Sequence, residues 1–76
     1  MIELYDVTRD RTYWVNINHI VSLTAVDKAN PKAGTYVDIN GHPLRIEVSG
    51  TPKSVIESIE LVKFKERIEA ERRLHL

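Results

Sequence analysis

A chain of 76 residues lies near the lower limit for independent folding, where a domain buries only about 60% of the surface its unfolded form exposes, so it builds one core. It has no cysteine, which excludes disulfides and thiolate zinc clusters as supports for that core and leaves self-association as the common remedy. Eleven basic and eleven acidic residues cancel, which excludes the broad positive field of a protein that follows a phosphate backbone over its whole surface; only a local basic patch remains.

Ile2 to Val7 mixes β-branched, aromatic and aliphatic residues and runs into the turn-like Thr8-Arg9-Asp10-Arg11, predicting a strand and then a turn. Thr12 to Ile17 has the highest β-propensity in the chain and predicts the second strand. Asn16 to His19 favours a tight turn or one helical turn leading into a third strand, Ile20 to Val26. Asp27 to Thr35, with Asn30-Pro31, Gly34 and two lysines, reads as a solvated loop.

Asn40-Gly41 fits a type I′ turn between strands Thr35 to Ile39 and His42 to Val48. A two-residue loop sets Val37 opposite Leu44 and Thr35 opposite Ile46, with Val37, Ile39, Leu44 and Ile46 on one apolar face. The other face is polar, carrying Tyr36, Arg45, Asp38 and Glu47. Ser49-Gly50-Thr51-Pro52 starts a helix, with threonine as N-cap and proline at the first position. That helix is predicted to run from about Pro52 to Arg73.

Around the helix, Val55, Ile59 and Val62 form one apolar stripe, with Ile56 at its edge, and this stripe is expected to cap the sheet. Beyond Val62 the stripe meets Glu66 and Arg73. A second stripe, Leu61, Phe64 and Ile68, takes over on roughly the opposite side. About 22 helical residues span about 33 Å, longer than the small sheet beneath, so the last turns are expected to project. Leaving the three side chains in water forfeits roughly 1.5 to 3 kcal/mol each, and a second copy of the chain is the simplest cover; the alternative is that the Asp27 to Thr35 loop or the first hairpin folds over them.

Catalytic candidates are scattered. His19, His42 and His75 lie in a turn, beside a hairpin turn and in the tail, and no Ser-His-Asp order, phosphate-binding glycine loop or paired-histidine spacing is present. His19 and His42 could meet with Asp27 or Asp38 at a metal, but lone turn histidines are more often solvated, so no metal, no cofactor and no enzymatic activity are expected. Tyr13 and Trp14 point to opposite faces of one strand. The size of Trp14 favours it for the core. If an aromatic is instead exposed, Tyr13 or Trp14 with Tyr36, Arg45, Arg9 and Arg11 would resemble the surfaces that stack single-stranded nucleic acid or nucleotide-like ligands. No apolar run approaches the roughly 18 residues of a membrane span, and Met1-Ile2-Glu3-Leu4 lacks the basic and apolar regions of a signal peptide, so a cytoplasmic location is expected, with no membrane partner.

Met1-Ile2-Glu3-Leu4, Asn16 with Ile20, Asn40-Gly41, and Thr51-Pro52 followed by Val55-Ile56 stand in an order that resembles the FlbD-like family of small flagellar proteins, over about residues 1–62. Arg9-Asp10-Arg11 replaces that family's glycine turn, the loop after Val26 is longer, and the helix past Val62 extends beyond the family's end. The resemblance implies a non-catalytic accessory role and carries over no catalytic residue; a setting outside flagella, such as a phage, is equally compatible with these residues.

The sequence thus predicts one α+β domain over residues 1–76: a five-stranded antiparallel sheet or partly open barrel of hairpins over residues 1–48, packed by one long C-terminal helix. The expected function is a self-associating protein-interaction module, with a nucleic-acid or nucleotide-ligand binder as the alternative.

Overall fold

The computed structural model describes residues 1–43 and 45–74, with the backbone alone at residue 74. Its elements in chain order are β1 (Ile2–Asp6), β2 (Arg11–Val15), a 3-10 turn (Ile17–His19), β3 (Ile20–Ala25), a second 3-10 turn (Pro31–Ala33), β4 (Thr35–Ile39), β5 (Ile46–Val48) and α1 (Pro52–Leu74). The class is α+β. The single five-stranded sheet or barrel is not formed: β1 and β2 make one antiparallel sheet, and β3, β4 and β5, in that order, make another. The Val7 N–H donates to the Glu47 carbonyl at 2.9 Å between the two. β5 is only three residues long before the chain turns away at Ser49 and Gly50, which leaves too little strand to zip the sheets into one.

Alternation fixes what each strand buries. Ile2, Leu4 and Asp6 of β1 point inward while Glu3 and Tyr5 point out, and β2 pairs with it from Ile2 opposite Val15 to Asp6 opposite Arg11. Asn16 then caps the first 3-10 turn, its side-chain oxygen accepting the Asn18 N–H at 3.0 Å, as the asparagine-rich turn predicts. In β3 the register shifts between Ile20 and Ser22, so Val21 is extruded into solvent while Ile20 and Leu23 keep their places opposite Ile39 and Val37.

The second hairpin turns where Asn40-Gly41 predicts, with the His42 N–H donating to the Ile39 carbonyl at 3.1 Å. Its geometry differs from the type I′ expectation, because Gly41 takes a positive φ of 81° and Asn40 does not. The ladder is displaced by two residues, with Val37 opposite Ile46 and Thr35 opposite Val48. Pro43 has no N–H to contribute, so the strand starts only at Ile46. A slip of two preserves the faces. Val37 and Ile46 are fully buried and Ile39 is half-buried, while Leu44 lies outside the described residues, as does His75.

Gly34, at φ 137°, precedes β4 and lies so close to β5 that a Cβ would come to 3.0 Å from the Val48 carbonyl oxygen. Thr51 caps α1 as expected, its Oγ1 accepting the Ser54 N–H at 3.1 Å. Val55 and Ile59 complete a core built with Ile2, Leu4, Val15, Ile17, Val37, Ile46 and Val48, and Val62 packs against its edge. Among the described residues no helix is long and apolar enough to cross a membrane.

Candidate self-association surface

Two of the three side chains of the second helical stripe are exposed. Leu61 is 53% exposed and Phe64 51% exposed, and Ile68 is half-buried on the same side of the helix. The Asp27 to Thr35 loop does not fold over them: residues 27–33 are all solvent-exposed, and the segment returns to the sheet through the Val26 N–H, which donates to the Gly34 carbonyl at 3.0 Å. The 23 residues of α1 span about 34 Å, and the molecule measures 48 × 24 × 20 Å. Of residues 63–73 in the last turns of α1, all but Ile68 are solvent-exposed. The Met1 ammonium pairs with Glu66, holding the start of β1 to the middle of the helix, and the Arg67 guanidinium lies 6.0 Å from the Phe64 ring centroid.

Leu61 also lines a groove of about 450 Å³ between β1 and α1, walled by Ile2 to Tyr5, by Val48 and Ser49, and by Ser54, Ser58 and Val62 of the helix. The Val7 N–H points away from β2 toward β5, so by antiparallel alternation the main-chain groups of Glu3 and Tyr5 point the same way.

The alternative ligand surface is divided. Trp14 is not in the core; it is 65% exposed, opposite Glu3. Tyr13 is the inward member of the pair, half-buried with its ring edge-on to His42 at 5.6 Å. The two aromatics edge a cleft of about 360 Å³ that His19 and His42 also line. Among the described residues no cluster of three metal-ligating side chains forms.

Tyr36 and Arg45 do meet, with the guanidinium 5.1 Å from the ring centroid, but Arg45 also donates to Asp38 at 2.9 Å. The Ser22 hydroxyl, 2.7 Å from the same carboxylate, is the larger cause and Arg45 the next that hold Asp38 below the usual carboxylate range. Arg9 is committed as well. It pairs with the fully buried Asp6 carboxylate and donates to the Arg45 carbonyl at 2.8 Å. Arg11 is exposed and makes no ion pair among the described residues. Of the three arginines, two are thus spent on internal contacts, and Trp14 and Tyr13 face opposite sides of their strand.

Asp6 is the residue that the sequence reading missed. Burial raises its pKa, but the Arg9 guanidinium and the Thr8 and Arg9 N–H groups outweigh that and hold it below the usual range. The N–H donors sit at 2.9 and 3.3 Å, an Asx turn that closes the first hairpin. Comparison with family models, curated proteins and solved structures returns no match; the FlbD-like resemblance rests on the residues that carry it.

Proposed function

We propose that this chain is a non-catalytic, self-associating interaction module of the cytoplasm, whose helix joins copies and whose loops or polar sheet face meet a protein partner. The observation that carries the reading is the exposure of Leu61 and Phe64, each more than half accessible, on a helix whose other face is already used for the core. Apolar area at this scale costs free energy in water and gains it on pairing. The same patch on two copies is complementary about a two-fold axis, so a closed dimer follows more simply than an open chain of contacts. The FlbD-like resemblance points the same way, toward an accessory protein without catalytic residues.

Light scattering on a Phe64→Glu, Ile68→Glu double variant tests it. Wild type should give the mass of a dimer or higher closed oligomer, and the variant that of a monomer with unchanged secondary structure. A wild type that stays monomeric at about 100 μM, well above the micromolar dissociation constant of a modest interface, would remove the reading.

Exposure of Trp14 is the observation that favours the second reading, a nucleic-acid or nucleotide-ligand binder that stacks bases on that ring. The commitment of Arg9 and Arg45 to internal partners weighs against it. Titration of labelled single-stranded DNA and RNA at physiological salt should show no micromolar binding. Binding that is abolished by Trp14→Ala and weakens with salt would make this the better reading.

A further inference from the structure

Resting on the self-association reading, we infer that the two helices pair antiparallel, so that the tail of each copy seats against the groove between β1 and α1 of the other. The groove and the stripe share Leu61, so they form one continuous surface on the flank of the helix. A two-fold axis perpendicular to the helices through the middle of the stripe, near Phe64, sets Arg72 of one copy level with Glu57 and Ser58 of the other. In a parallel pair the tails would cover each other and the groove would stay open.

Charge selects between the two. Residues 52–62 of α1 carry two acids, Glu57 and Glu60, and one base; residues 63–74 carry five bases and three acids. Antiparallel pairing lays the basic tail along the acidic first half, where Glu3 also lines the groove. Parallel pairing lays base against base and acid against acid. The helix dipoles favour the antiparallel arrangement too, each negative C-terminus lying beside a positive N-terminus. The groove wall completes the match: the small Ser54 and Ser58 permit close approach, and the carbonyls of Glu3 and Tyr5 that turn toward it are acceptors for the guanidinium donors of an arginine-bearing tail.

The chain has no cysteine, so single cysteines report geometry cleanly. Ser58→Cys and Arg72→Cys, both exposed positions, are made in separate chains, mixed, and treated with a short bismaleimide. Antiparallel docking predicts a dominant mixed product joining 58 to 72. Products joining 58 to 58 and 72 to 72, without the mixed one, would overturn the docking and leave self-association standing. Absence of all products from the cysteine variants, together with a wild type that scatters light as a monomer, would overturn both. Charge exchange supplies the second readout: Glu57→Lys, Glu60→Lys should dissociate the dimer, and adding Lys65→Glu, Arg72→Glu to the same chain should restore it, because only antiparallel pairing lays the first half of one helix along the tail of the other. A Glu57→Lys, Glu60→Lys chain that stays dimeric, or a fourfold variant that stays monomeric while wild type dimerises, would overturn the docking.

Discussion

Asp6 shows how much a single position decides in a domain this small. It is the inward residue at the end of β1, following Ile2 and Leu4 on the same face, and a carboxylate there is tolerable only because a guanidinium and two main-chain donors meet it. Its folded pKa is depressed, so its contribution to stability is present above the usual carboxylate value and is lost as pH falls through the folded one. Asp6→Asn should therefore cost about 1 to 3 kcal/mol at neutral pH, and the gap from wild type should close in acid; urea unfolding at neutral pH and at about pH 3 checks both. The alternation that buries Ile2 and Leu4 already placed this acid inside. The same parity argument settles the aromatic pair: Val15 and Ile17 are the apolar partners of Tyr13, while Trp14 shares its face with Thr12 and Asn16. Residue size favoured the opposite assignment and was the weaker guide. As the chain's one tryptophan, Trp14 should show the fluorescence of a solvated indole, quenched by acrylamide in the native state, and Trp14→Ala should shift stability by no more than about 0.5 kcal/mol.

Elements were legible where local chemistry alone decides them. Gly50, Thr51 and Pro52 mark the start of α1 to the residue, because a cap needs only its own neighbours. The hairpin was harder. Asn40-Gly41 located the turn, but the ladder beyond it depended on Pro43, whose missing N–H delays β5 to Ile46. The bulge at Val21 left no sequence signal, since it answers to the register of β4. The rotation of α1 followed from periodicity, with Val55 and Ile59 buried and Leu61 and Phe64 exposed. Ile59→Ala should accordingly cost about 2 to 5 kcal/mol, whereas Glu57→Ala on the outer side should stay within about 0.5 kcal/mol, by chemical denaturation at concentrations where the monomer dominates. Truncation after Lys63 should leave the sheets folded, because the inner stripe ends at Val62.

At the scale of the whole molecule the sequence predicts five strands and a helix but not their division into two sheets, which turns on how early β5 gives way to the helix and leaves β1 with an open groove. No local signal encodes such a gap. What periodicity did reveal is the mismatch between a helix of about 34 Å and the body it packs on, and this mismatch is the basis of the functional account. A small core in a chain without cysteine gains from association, and a dimer that buries Leu61 and Phe64 couples folding to concentration. The most direct test is sedimentation equilibrium of the wild-type chain from about 1 to 100 μM, the range in which a modest interface assembles. The account predicts a mass that rises from 8.8 kDa toward twice that value or a higher closed multiple; a mass that stays at 8.8 kDa across the range would contradict it.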